Sequence, residues 1–204
     1  MSEIVVVQGY AGSGKSTHSE HFSQNRYNGE AIVHVSAGTR LRAIRTGIED
    51  SRHAAFINDP EAPSPLPDEI VNDVIFENAN PVRNGLTLID GYPRHETGVG
   101  VFERSLRRER HRLLGSVCLE VTMNTSVRRI LSRGERDGER IKGRDLADYA
   151  RRRYRDDSTQ TQRAVQRLER IAPVERVDAN ASVEEVRERF YQAMGRLGVQ
   201  LDGM

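Results

Sequence analysis

Along this chain, short runs of apolar and β-branched residues alternate with longer stretches in which charged and apolar positions interleave at helical spacing. Ile4, Val5, Val6 and Val7 form the first run. Four apolar neighbours without alternation, bounded by polar residues, predict a strand buried on both faces. A glycine-rich turn at residues 9–14 follows, and the polar segment from Lys15 to about Asn25 predicts a helix. Residues 31–35 read as a second strand and 38–47 as a helix. Pro60, Pro63, Pro65 and Pro67 fall within residues 51–67. They forbid a long regular element there, because proline lacks the amide hydrogen and clashes with the preceding turn. Pro67, Asp68 and Glu69 then open a helix, since proline and acids suit a first turn.

The second half continues the alternation. Residues 86–89 are a third strand, stopping at Asp90, and a charged helix follows up to His111. Residues 117–121 are a fourth strand, with Cys118 as inert packing inside it. Residues 125–132 read as helix, 134–143 as a charged loop, and a long helix runs from about Leu146 to Arg170. Residues 174–177 make a fifth strand, and Ser182-Val183-Glu184-Glu185 is a capping box that opens a last helix. The expected fold is α/β: a five-stranded parallel sheet with helices on both faces, in three layers. One domain spans residues 1–204, with two irregular excursions at 38–66 and 134–145.

Composition narrows the classes. A length of 204 residues suits one domain with a single core. No run of about 18 apolar residues offers a membrane span, and the first residues lack the basic-then-apolar layout of a signal peptide. A cytoplasmic protein is therefore expected, without a membrane partner. Cys118 is the only cysteine, so an intrachain disulfide and a four-cysteine zinc site are both excluded. No zinc is expected, and none of the six histidines forms a metal spacing. The net charge of +1 gives no general attraction to nucleic acid. Lys15 and Lys142 are the only lysines among 31 basic residues. Lys15 stands where a compact, flexible ammonium is chemically required.

Gly9-Tyr10-Ala11-Gly12-Ser13-Gly14-Lys15-Ser16 matches G-x-x-x-x-G-K-[ST], with a strand before it and a helix after. The glycines let the backbone turn tightly and aim N–H groups inward, and the helix N-terminus adds positive partial charge. The expectation is a P-loop NTPase-type fold that binds ATP through Gly12, Ser13, Gly14, Lys15, Ser16 and Thr17. Lys15 reaches the β- and γ-phosphates, Ser16 ligates Mg²⁺, and Thr17 bonds an oxygen nearer the α-phosphate.

Ser36-Ala37-Gly38-Thr39-Arg40-Leu41-Arg42 follows the second strand, and Asp90-Gly91-Tyr92-Pro93-Arg94 the third. Both lie where strands of an open sheet end, beside the phosphate loop, and ligands gather there in such folds. With Leu66-Pro67-Asp68-Glu69 and Val177-Asp178-Ala179, these motifs resemble in order those of the nucleoside monophosphate kinases of the adenylate kinase and UMP-CMP kinase family. That resemblance spans nearly all of the chain. It implies an acceptor site of Ser36, Ala37, Arg42, Gly91, Tyr92 and Arg94. Arg42 and Arg94 would grip the acceptor phosphate, which a planar guanidinium can do in bidentate fashion. Asp90 would organise waters around Mg²⁺. Residues 38–66 become an acceptor-binding excursion and 134–145 a lid. Small members of this family are generally monomers, and the resemblance implies one here.

By the same resemblance, Arg129 lies over the donor base and Arg133 contacts the donor phosphates. Arg144 and Arg153 join Lys15, Arg94 and Arg133 around the transferring phosphate and contact the acceptor as well. Arg140 rivals Arg144 in another register. Helical spacing singles out Arg153, because Leu146, Tyr149, Ala150, Arg153, Ala164, Leu168 and Ile171 fall on one stripe. An inward arginine costs energy unless an anion meets it. Gly134, Gly138 and Gly143 serve either as hinges of a closing lid or as marks of a flexible surface loop.

Several departures bear on the substrate. Ser16 replaces the family's glycine, Thr39 its aspartate, and the paired lid aspartates are missing after Arg144. Gly98 stands about where adenylate kinases place a base-reading glutamine, and Ala37 is the residue of UMP-CMP kinases. Together they weigh against AMP and toward a pyrimidine or atypical acceptor. The expected reaction is Mg²⁺-dependent transfer of the ATP γ-phosphate to a nucleoside monophosphate, a chemistry of positioning and charge neutralisation. A kinase of another small metabolite, and a catalytically weak ATP-binding regulator, remain as rivals.

Overall fold

The computed structural model describes residues 2–78, 85–137 and 144–203, with side chains at all of these but 78, 134–137, 144 and 145. Its central strand β1 (Glu3–Gly9) is buried along nearly its whole length. Alternation of side chains across a strand sends Val5 and Val7 into one apolar cluster and Ile4 and Val6 into another. A strand facing two cores cannot tolerate polar side chains on either face, which is why its sequence is a continuous apolar run. β1 pairs in parallel with both β5 (Leu86–Asp90) and β6 (Arg112–Glu120). With β4 (Val33–Ser36) and β7 (Val174–Asp178) the sheet runs β4-β5-β1-β6-β7, all parallel.

Helices cover both faces, as the alternation predicts. One face carries α1 (Lys15–Phe22) and α8 (Val183–Arg196), whose Phe22, Phe190, Ala193 and Met194 pack on Val5, Leu88 and Leu119. The other is covered by α4 (Asp68–Asn78), α5 (Glu96–Glu109) and α7 (Arg144–Leu168), through Ile75, Val99, Phe102, Ala164 and Leu168. The capping box at Ser182 forms as expected. Its hydroxyl accepts from the Glu185 amide at 3.3 Å, and Glu185 answers with a carboxylate 3.1 Å from the Ser182 amide. A third, smaller cluster of Ile44, Ile57, Leu66 and Val74 joins α2 (Ala37–Arg45), α3 (Ala54–Ile57) and α4. The segment 38–66 thus carries apolar packing of its own.

The structure adds two short elements to the sequence reading and corrects two expectations. Residues 51–67 hold the single-turn helix α3, which ends before Pro60, so no long regular element forms among the prolines. Arg26–Tyr27 and Glu30–Ala31 form a small antiparallel hairpin, β2 and β3. Its Asn28-Gly29 turn has φ of 53° and 80° at the two central residues, the geometry that Asn-Gly favours. Helix α6 (Met123–Asp137) extends through Gly134, so residues 134–137 are helical and Gly134 is no loop hinge. Gly138, Arg140 and Gly143 lie outside the described residues. Finally, the inward stripe of α7 is Leu146, Ala150, Tyr154, Asp157, Thr161, Ala164 and Leu168, while Arg153 is exposed. The slip arises because four successive positions, Arg151 to Tyr154, are long side chains whose apolar stems blur the periodicity. None of the described helices is long and apolar enough to cross a membrane.

Leu88 is wholly buried in the middle of the sheet. Leu88→Ala should cost about 2–5 kcal/mol, from lost transfer energy plus the cavity left behind. Urea unfolding would register this as a lower midpoint at unchanged slope. A loss below about 1 kcal/mol would contradict the placement of β5 in the core.

Candidate functional site

Parallel pairing sets the site. Val7 of β1 lies opposite Asp90 of β5, and Asp90 lies opposite Ser36 of β4. Three strand ends therefore come level, and the segments that leave them, 9–14, 37–42 and 91–94, share one edge of the sheet. These segments, with α6, α7 and the start of α8, enclose a cavity of about 620 Å³.

The phosphate loop turns where β1 meets β6. A Cβ on Gly9, whose φ is +154°, would stand 2.5 Å from the Leu119 carbonyl oxygen and 2.7 Å from Ser13 Oγ. Only glycine fits. Gly14, with φ +90°, then starts α1 without any side-chain cap. The unpaired amides of the first turn are thereby left for an anion, with the helix dipole behind them. Lys15 Nζ folds back to donate to the carbonyls of Gly9 at 2.8 Å and Tyr10 at 3.2 Å. Burial lowers its pKa, while the charges of Asp90 and Asp157 pull the other way and help to keep it an ammonium. Ser16 Oγ donates to Asp90 Oδ2 at 2.6 Å, and His34 Nε2 lies 3.6 Å from the same oxygen. A hydroxyl and a buried carboxylate, side by side at the loop, are the hard oxygen donors that suit Mg²⁺. Among the described residues, no group of three or more His, Cys, Asp or Glu is arranged to hold a metal ion.

Gly12, Ser13, Gly14, Lys15, Ser16 and Thr17 all line the cavity. So do Ser36, Arg42, Asp90, Gly91 and Arg94 from the acceptor motifs, and Arg129, Arg133 and Arg153 from the helices. Ala37 and Tyr92 do not. Their side chains are buried in the core, at 4% and 1% exposure. The Tyr92 hydroxyl reaches Asn72 Oδ1 at 3.3 Å, and burial pushes its pKa up. Both were expected in the acceptor site, yet they support its backbone from behind. Arg144 begins α7, but its side chain lies outside the described residues.

Several cations are braced by neutral groups. Arg129 donates to the carbonyls of Gly12 at 3.2 Å and Ala181 at 3.1 Å, which ties α6 to two loops. Arg42 donates to the neutral Thr39 Oγ1 at 3.1 Å. Arg153 leans over the Tyr149 ring, 6.0 Å from its centroid. Arg94 is paired instead with the carboxylate of Asp157.

Among the described residues, seven lining side chains are Lys or Arg, against two Asp. Such an excess of positive charge in one concavity favours polyanions. Sequence reasoning missed Asp157, Thr161 and His18 as lining residues. The first two are legible as the inward stripe of α7 once Tyr154, rather than Arg153, is taken as its member. His18 sits one turn into α1 at 3% exposure, its ring stacked on Phe190 at 6.0 Å.

Comparisons with known proteins give the family. A family model described as an AAA domain matches residues 8–146. The chain is similar to the adenylate kinase of Helicobacter pylori, at 33% identity over 144 residues, covering 69% of this chain and 74% of that protein. It is also similar to the adenylate kinases of a Nocardioides species and of Nocardia farcinica. The first is 29% identical over 196 residues, covering 93% of this chain and 96% of the relative. The second is 30% identical over 195 residues, covering 94% and 99%.

Burial, aided by the charges of Arg187, Arg129 and His21, pulls the His18 pKa from 6.5 down to about 4. Unfolding therefore takes up a proton anywhere between those values, and the stability due to neutral His18 is lost as pH falls from about 6.5 toward 4. The loss should be on the order of 2 kcal/mol. Urea midpoints measured across that interval should fall less steeply for His18→Gln than for the natural chain. Parallel slopes would show that His18 titrates normally.

Proposed function

This chain carries an AAA domain and belongs to the adenylate kinase and nucleoside monophosphate kinase superfamily, and from that premise we propose that it transfers the γ-phosphate of ATP to a nucleoside monophosphate. The observation that carries the reading is that Lys15, Arg42 and Arg94 line one cavity although the first and last stand 79 positions apart in the chain. Two separate sets of cations facing one space suit two phosphorylated molecules, a donor and an acceptor. The names of the curated relatives support a nucleoside monophosphate as the acceptor class.

Each residue has a role that follows from its placement. Amides of the loop from Gly12 to Thr17 cradle the donor phosphates, and Lys15 leaves its two carbonyl partners to follow the β- and γ-oxygens. Ser16, and Asp90 through water, are the residues that would hold Mg²⁺, which supplies charge neutralisation at those oxygens. Arg94 and Arg42 grip the acceptor phosphate from the opposite side. Arg129, Arg133 and Arg153 approach from α6 and α7, with Arg144 at the start of α7. Holding both phosphates in line removes much of the entropic barrier, and excluding water limits hydrolysis.

Position 98 bears on the acceptor base. A Cβ on Gly98 would fall 2.7 Å from Asp68 Oδ1. That carboxylate also accepts from Thr97 Oγ1 at 2.5 Å and faces His95 Nδ1 at 3.6 Å. A side chain at position 98 would have to displace the Asp68 carboxylate, and glycine itself offers no amide to an acceptor base.

The decisive assay offers MgATP with AMP, CMP, UMP, dTMP or GMP separately and measures the diphosphate formed. Turnover of one or two identifies the acceptor, whereas ATP binding without any turnover would replace this reading with a regulatory one. Lys15→Ala should lower kcat by about 10²–10³-fold with the fold intact by circular dichroism. Arg94→Ala should lower kcat/KM for the acceptor by a similar factor while the KM for ATP moves less than about threefold. Near-normal acceptor kinetics in the Arg94 variant would remove it from the acceptor site.

A further inference from the structure

Among the described residues two carboxylates line the cavity, and the transfer described above uses only Asp90. The other, Asp157, bonds the Nη2 of Arg94. Its surroundings differ from those of an ordinary surface ion pair. The Asp157 side chain is 13% exposed, whereas that of Arg94 is 51% exposed. Asp157 lies on the inward stripe of α7, and that part of the helix is tightly anchored. Tyr154, one turn earlier, donates to the Val121 carbonyl at 2.9 Å and packs edge-on against Tyr10 at 5.8 Å. Gln162, little more than a turn later, donates to the Tyr10 hydroxyl at 3.0 Å. The carboxylate is thus held on a fixed helix beside the phosphate loop, while the guanidinium that meets it is partly hydrated on a long, flexible stem.

A guanidinium presents its donors as planar pairs, and a phosphate oxyanion binds best across a pair. The two paired edges, Nε with Nη2 and Nη1 with Nη2, both include the Nη2 that Asp157 already engages. An arriving phosphate must therefore compete with a carboxylate already in place. It carries more charge and more acceptor oxygens, so it can win. The displaced carboxylate then remains in a cleft where only a small part of it meets water.

Resting on the reading of Arg94 as an acceptor-phosphate ligand, we propose that Asp157 is a built-in counter-ion of the acceptor site, displaced by the acceptor phosphate and thereby setting how tightly a phosphate monoester binds. The carboxylate holds Arg94 when no acceptor is present and exacts the same cost from the bound acceptor and from the transition state. Its removal should consequently act on acceptor affinity more than on turnover.

The test is Asp157→Asn, with Asp157→Ser as the second variant should the first fold poorly, each checked by melting temperature. Acceptor KM should fall about tenfold, with kcat and the KM for ATP moving far less. Inorganic phosphate, titrated by calorimetry into the chain without nucleotide, should bind about tenfold more tightly to the variant. In an Arg94→Ala background the same substitution should leave phosphate affinity where it was, because the two groups act through one another. A raised acceptor KM, or a fall in kcat of similar size, would overturn the proposal and make Asp157 a group that orients Arg94. Unchanged phosphate affinity would overturn it too. Should no nucleoside monophosphate be phosphorylated by the natural chain, the functional reading fails by itself, and the calorimetric arm still decides the role of Asp157.

Discussion

Mutual repulsion among cations gathered in one concavity is the constraint that the rest of this structure answers. A cavity lined by seven Lys and Arg side chains and two Asp would be costly if each cation were left bare. The fold meets the cost with neutral acceptors. Lys15 rests on two carbonyls of its own loop, and Arg129 on one carbonyl of that loop and one of Ala181. Arg42 uses a hydroxyl and Arg153 an aromatic face. Neutral partners hold a cation in place yet surrender it readily, since a carbonyl bond is weaker than one to an anion. Arg94, by contrast with these four, faces a full negative charge.

Those braces depend in turn on the sheet. Strands β1, β5 and β4 end level because their registers are locked by apolar packing on two faces, where a slip of one residue would turn every side chain over. From three level ends the chain can deliver a phosphate loop, an acidic turn and an arginine-bearing helix to one rim. The crowded contact at Gly9 shows how little room remains there. Rigidity of this kind matters for a chemistry of positioning, in which small displacements cost rate steeply.

Much of this was legible from local sequence. The five apolar runs mark five strands, and the capping box at Ser182 marks the start of α8 to the residue. The phosphate loop was equally plain, since glycine, lysine and serine at fixed spacing each answer a local demand of backbone or charge. The Asn28-Gly29 hairpin was also written there, though two-residue strands are too short for periodicity to reveal. The stripe of α7 was harder. A row of arginines hides which side of a helix faces inward, because each has an apolar stem that could be buried and a charged end that resists it.

By itself, then, the order of residues determined the layers, the strand count, the loop and the two arginine motifs, because hydrophobic period, turn chemistry and glycine geometry act over a few neighbours. Tertiary structure alone decided that Ala37 and Tyr92 turn into the core while Arg42 and Arg94 turn outward, and that Asp157 meets Arg94, 63 positions earlier in the chain. Such pairings follow from where whole elements come to rest against the sheet. No local pattern encodes them, since Coulomb attraction depends on distance in space and not on distance along the chain.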